Sequence, residues 1–153
     1  MTFYLNIGSN LGDCTANLHH AIEALESALH TSAQVSSIIE SQAWGYSSDN
    51  IFYNIGVAID SDISPQEMLT ITQRIERELG SASHRNADGS YCDRLVDIDI
   101  IAVNDIVVNT PTLTIPHPLM HKREFVLAPM AELAPQWIHP TLHKSVAELI
   151  NEL

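Results

Sequence analysis

Leu95-Val96-Asp97-Ile98-Asp99-Ile100-Ile101-Ala102-Val103 is the most strand-like stretch of this chain. Side chains alternate across a strand, so Asp97 and Asp99 share one face while Val96, Ile98 and Ile100 share the other, the core side. Aspartate is depleted from strands, yet two stand in this one. At positions i and i+2 their backbones lie roughly 6.5–7 Å apart, a spacing from which both carboxylates reach a pair of hard cations. Mg²⁺ takes one or two carboxylates and fills its other positions with phosphate oxygens and water. Two such ions clamp the attacking and leaving oxygens of a phosphoryl transfer. Taken alone, Asp-x-Asp favours the plainer reading of a strand with one solvent-facing polar side. Arg94 shifts that balance, because it stands at the mouth of the same strand and its guanidinium fork matches phosphate oxygens. Acid pair, arginine and the polar loop before them together favour a metal–phosphate site.

Working outward, residues 81–93 are Ser-, Asn-, Asp- and Gly-rich and read as a long loop, a length that is usually functional or disordered. Before it, Ser64-Pro65-Gln66-Glu67 is a capping box with proline at the first helical position. It opens a helix whose inner face is Met68, Leu69, Thr72, Ile75 and Leu79, ended by Gly80. Residues 51–60 and 33–40 read as strands joined by a polar loop. Asp13 caps a helix over 14–29, with Leu18, Ala21, Ile22, Leu25, Ala28 and Leu29 at helical spacing. Residues 2–7 form the first strand, closed by the turn Gly8–Asp13. Downstream, Asn104-Asp105 is a turn from which Ile106–Val108 returns as a hairpin partner of the 95–103 strand. A proline-punctuated segment covers 111–118, a helix 121–133, and a short amphipathic helix 143–152. The order strand–helix–strand–strand–helix–strand predicts an α+β fold, the ferredoxin-like βαββαβ sandwich with a C-terminal extension. Its helices are expected on one face of an antiparallel sheet, leaving the other face to a site built from loops.

The 153 residues are expected to form a single domain, 1–153. A 45% hydrophobic and 17% charged composition excludes disorder. No apolar run approaches the ~20 residues of a membrane helix. The opening MTFYLNIGSN has no basic stretch of the signal-peptide kind. Cys14 and Cys92 form neither a C-x-x-C pair nor a zinc spacing, so a reduced, cytoplasmic protein is expected. The net charge of −12 excludes a broad nucleic-acid or membrane face. Six of the seven cationic residues nonetheless fall between Arg74 and Arg123, enough for a local pocket that accepts a small anion. Among the eight histidines no ligand set for a transition metal stands out. Ile115-Pro116-His117-Pro118 holds a histidine between two fixed φ angles, which suits hydrogen bonding to phosphate. A proline-rich surface turn with an incidental histidine fits this segment equally well.

Gly8-Ser9-Asn10-Leu11-Gly12-Asp13, Phe52-x-Asn54, Gln73-Arg74-Ile75-Glu76, Arg94-x-x-Asp97-x-Asp99, Pro116-His117-Pro118 and Arg123 with Phe125 follow one another over nearly the whole chain. In this order and spacing the series resembles the 6-hydroxymethyl-7,8-dihydropterin pyrophosphokinases of folate biosynthesis. The resemblance implies transfer of pyrophosphate from MgATP to the pterin hydroxymethyl oxygen, with attack at the β-phosphorus and release of AMP. It implies that Asp97 and Asp99 bind two Mg²⁺. It assigns Gln73, Arg94, Thr114, His117 and Arg123 to ATP, with Arg94, His117 and Arg123 counted among the catalytic groups. It assigns Gly8, Ser41, Trp44, Phe52, Asn54 and Phe125 to the pterin, the two phenylalanines sandwiching its ring. It implies a cytoplasmic monomer acting on small molecules, without nucleic-acid or membrane partners.

The chain departs from that pattern at Ser81, where the family usually has an arginine, and at Gln42-Ala43, where a Glu-Pro or Pro-Pro pair is usual. Tyr91 stands where tryptophan is common, and His84 and Arg85 are the basic groups left in the 81–93 loop. Loss of a transition-state cation costs several kcal/mol, which Arg85 can offset by swinging in with a mobile loop. Two alternatives therefore stay open: a paralogue that binds pterin or nucleotide without efficient transfer, and another metal-dependent phosphoryl or nucleotidyl transferase on the same scaffold.

Overall fold

A computed structural model describes residues 1–41, 51–80 and 95–153. Its elements are β1 (Thr2–Ser9), α1 (Cys14–Leu29), β2 (Gln34–Val35), β3 (Ile39–Ser41), β4 (Phe52–Asp60), α2 (Pro65–Glu78), β5 (Asp97–Val103), β6 (Val108–Asn109), β7 (Thr114–Ile115), a 3₁₀ turn (Met120–Lys122), α3 (Glu124–Leu133) and α4 (Val146–Asn151). Local signals set several boundaries. The Asp13 side chain accepts the Ala16 N–H and starts α1. The Ser64–Glu67 capping box is present with Pro65 inside the first turn of α2. A second capping box, Ser145 with Glu148, opens α4.

The sheet runs β2-β4-β1-β5 with every pairing antiparallel, and β3 also pairs with β4. Alternation sorts the strands as the apolar pattern demands. Phe3, Leu5, Ile7, Ile55, Val57, Ile59, Ile98 and Ile100 pack with Leu18, Leu25, Met68 and Ile75 of α1 and α2 into one core. Asp97 and Asp99 lie on the opposite face, each partly exposed: Asp97 between the buried Val96 and Ile98, Asp99 between the buried Ile98 and Ile100.

Five expectations need correction. The strand over 33–40 is broken: the Ser36 hydroxyl accepts the Gly56 N–H at 2.8 Å, so the ladder is completed by a side chain and β2 and β3 separate around it. Val108–Asn109 does not return along β5 but pairs with Thr114–Ile115 in a separate two-stranded sheet. Its turn is closed by Thr110 and Leu113, whose backbones bond each other and whose threonine hydroxyl accepts the Leu113 N–H at 3.1 Å. Helices also cover both faces. The C-terminal extension places α3 and α4 on the second face, over a core of Ile101, Ala102, Met120, Val126, Leu127, Met130, Val146 and Leu149. Gly56 makes this approach possible, since a Cβ there would stand 2.6 Å from the Pro129 side chain. The helix expected over 121–133 is a 3₁₀ turn and α3, with extended backbone at Arg123 between them, and the closing helix is shorter than 143–152.

Among the described residues no helix is long and apolar enough to cross a membrane.

Candidate active site

The half of the second face that α3 leaves open is organised around Gly8. In register, Gly8 pairs with Asn54 on one side and Asp97 on the other, and Asn6 pairs with Gly56 and Asp99. Neighbouring strands lie about 4.8 Å apart, so Asn54 and Asp97 stand roughly 10 Å from each other across a residue with no side chain. A Cβ on Gly8 would sit 3.0 Å from Asn54 Oδ1 and 3.5 Å from the Phe52 ring. Asn54 is 3% exposed and donates from Nδ2 to Ser41 Oγ at 2.9 Å. Gly8, Ser41, Phe52 and Asn54, four of the six residues that the resemblance assigns to the pterin, thus lie together.

The second cluster is charged. Arg123 Nη1 lies 3.9 Å from Asp99 Oδ2, and its guanidinium carbon lies 5.5 Å from the centre of the Phe125 ring. Burial lowers the Arg123 pKa, while Asp99 and Asp97 hold the charged form in place. His117 is tied to β5 by its backbone N–H, which donates to the Ile101 carbonyl at 2.8 Å. That carbonyl is available because the β1–β5 register shifts between Tyr4 and Leu5, where Ile101 is the extra residue. His117 Nδ1 accepts the Leu119 N–H at 3.1 Å. Burial, then the Arg123 charge, lower the His117 pKa to about 4. The imidazole is therefore neutral near pH 7, with its proton on Nε2.

A cavity of about 280 Å³ opens beside these groups, lined among others by Leu69, Ile98, Asp99, Leu113, Thr114 and His117. Gln73 is exposed on α2, one turn beyond Leu69 and on the same helix face. Arg94, Trp44, Gln42-Ala43, Ser81, His84, Arg85 and Tyr91 lie outside the described residues.

Two residues of the site were missed in the sequence. Glu76 reaches from α2 and accepts the Ile98 N–H at 2.8 Å, in the backbone between the two aspartates. Burial pushes its pKa up to about 8, and the neighbouring Asp97 adds to this against the stabilising Ile98 N–H. The available signal was a carboxylate one turn after Thr72, at the edge of the apolar face of α2. Asn6 is buried in β1 and donates from Nδ2 to the Phe125 carbonyl at 2.9 Å. Its signal was an amide inside an apolar strand.

Among the described residues no three His, Cys, Asp or Glu side chains converge on one metal position. Two partly exposed carboxylates on a shared face instead fit a hard cation that takes the rest of its ligands from substrate and water.

Residues 4–135 match the family model of 7,8-dihydro-6-hydroxymethylpterin-pyrophosphokinase. The chain belongs to this family. It is 43% identical over 138 residues to the 2-amino-4-hydroxy-6-hydroxymethyldihydropteridine pyrophosphokinase of Porphyromonas gingivalis, covering 90% of this chain and 92% of that one. It is 36% identical over 151 residues to the enzyme of that name from Aquifex aeolicus, covering 99% and 91%. In fold it is similar to the Plasmodium falciparum HPPK-DHPS chain crystallised with pteroate, with a TM-score of 0.71, 13% identity, and coverage of 99% of this chain but 44% of that one. As a member of the pyrophosphokinase family, the protein is an ATP-dependent diphosphotransferase of folate biosynthesis, with ATP and the hydroxymethyldihydropterin as its substrates.

Proposed function

We propose that one chain, acting as a cytoplasmic monomer with a single domain over 1–153, carries out the transfer between two subsites on either side of Gly8. The single observation behind this division is the register that sets Asn54 and Asp97 on opposite sides of that glycine. The strand order β2-β4-β1-β5, with α1 and α2 on one face, supports the ferredoxin-like reading of the scaffold.

On one side, the pterin edge is read by Asn54, held by Ser41, and the ring stacks between Phe52 and Phe125, with Trp44 assigned to the same substrate by the family resemblance. Gly8 leaves room for the ring. On the other side, Asp97 and Asp99 hold Mg²⁺, which when bound neutralises and orients the phosphates of ATP. Arg123 contacts the phosphates from beside Asp99. His117 donates its Nε2–H to a phosphate oxygen as a neutral group. Thr114, in the wall of the cavity, and Gln73, at its approach, take the nucleoside end. Arg94 supplies positive charge as the transfer proceeds.

The hydroxymethyl oxygen forms a bond to the β-phosphorus and gives up its hydroxyl proton to solvent. The bond from that phosphorus to the oxygen bridging it to the α-phosphorus breaks, and AMP leaves with the bridging oxygen. No covalent protein intermediate is needed, so catalysis consists of alignment and charge stabilisation.

Calorimetry with a non-hydrolysable ATP analogue tests the two-subsite division. Asn54→Ala is expected to weaken pterin binding about ten-fold, the cost of one good hydrogen bond, and to leave nucleotide binding unchanged. Equal loss of both ligands, or loss of nucleotide alone, contradicts it.

A further inference from the structure

Proline cannot donate a backbone hydrogen bond, and inside a helix its ring also crowds the carbonyl four residues earlier. Pro129 lies within α3, so the carbonyl deprived of its i+4 donor is that of Phe125. The Asn6 side chain supplies the missing bond, donating from Nδ2 to that carbonyl at 2.9 Å across 119 residues of sequence. Asn6 is 4% exposed and sits in β1, paired with Asp99 on one side and Gly56 on the other. Gly56 in turn is the floor beneath Pro129.

The residue held in this way carries one of the site's rings. Phe125 lies in the first turn of α3, its ring 5.5 Å from the Arg123 guanidinium, and Arg123 reaches Asp99. A shift of the α3 start would therefore move the aromatic wall and the cation together. Two independent features of the chain, an amide in an apolar strand and a proline in a helix, meet at this carbonyl.

We propose that Asn6 is a positioning residue for pterin recognition: by replacing the donor that Pro129 lacks, it fixes the start of α3 and so the Phe125 ring. The proposal rests on the reading that Phe125 stacks on the pterin. Asn6 does not touch the substrate. It acts through the Phe125 backbone.

The test is a double-mutant cycle on pterin affinity, measured by calorimetry with a non-hydrolysable ATP analogue present. Asn6→Leu keeps the side-chain shape and removes the donor, and Asn6→Ala serves as a second variant if the first does not fold. Either is expected to weaken pterin binding about ten-fold while changing nucleotide affinity less than about three-fold. Pro129→Ala restores the helix's own N–H donor, so the double variant is expected to return to within about three-fold of the wild type. A general packing defect would not be repaired by that second change. Pterin affinity unchanged in both Asn6 variants, or a double variant no tighter than the single, overturns the proposal. Phe125→Ala separates the two layers: if it weakens pterin binding while the Asn6 variants do not, only the role of Asn6 fails. If Phe125→Ala is itself without effect, the stacking reading fails and the proposal with it.

Discussion

His117 shows how one side chain is prepared for its work. Its Nδ1 is occupied by the Leu119 N–H, and its environment, through burial first and Arg123 second, lowers its pKa to about 4. In the proposed mechanism, a neutral donor beside an arginine adds hydrogen bonding to a phosphate without a second cation adjoining the arginine. This preparation predicts a pH signature. In the unfolded chain histidine titrates near 6.5, so the unfolded state takes up a proton first as the pH falls. The contribution of His117 to stability is present above about pH 6.5 and is lost on acidification toward pH 4. Urea denaturation of wild type and His117→Gln at several pH values should show the stability difference between them shifting in favour of the variant across that window. A pH-independent difference would contradict the assignment. The aspartate pair was legible because strand alternation is a local rule, and so was Asp13 as a cap. Asn6 and Glu76 were not, because what makes them matter is a partner far away in sequence: the Phe125 carbonyl and the Ile98 N–H.

At the scale of elements, the same division between local and distant causes explains what the sequence revealed. α1 and α2 follow from caps and apolar spacing within one segment. The return of residues 106–108 along β5 failed because the turn at Thr110–Leu113 closes a hairpin of its own. The location of α3 depends on a fit between Gly56 and Pro129, which neither segment announces alone. Gly56→Ala is accordingly expected to destabilise the protein by about 1–3 kcal/mol through overpacking, with α3 displaced. A shift in the urea midpoint measures the cost. A variant as stable as wild type would mean that α3 is not seated on β4 as described. The open half of this face exists because α3 stops short of Gly8, and that boundary is what sets the site where it is.

The whole molecule carries a net charge of −12 and binds a polyanionic nucleotide. In the proposed mechanism the conflict is resolved locally, by the cations concentrated in sequence between Arg74 and Arg123 and by metal taken up at Asp97 and Asp99. The proposed mechanism makes the reaction depend on both aspartates, which face away from the α1–α2 core and whose loss should leave the fold intact. Family membership was readable from the ordered motifs, whereas the double cover of the sheet was not, because the C-terminal extension reveals its partner face only in three dimensions. The most direct measurement is AMP release from ATP, Mg²⁺ and 6-hydroxymethyl-7,8-dihydropterin by the wild type and by folded Asp97→Ala. The account predicts AMP only when pterin and Mg²⁺ are both present, and a rate at least ~100-fold lower in the variant, equivalent to about 2.7 kcal/mol of transition-state stabilisation. No pterin-dependent AMP from the wild type, or an Asp97→Ala variant that turns over as fast, would contradict it.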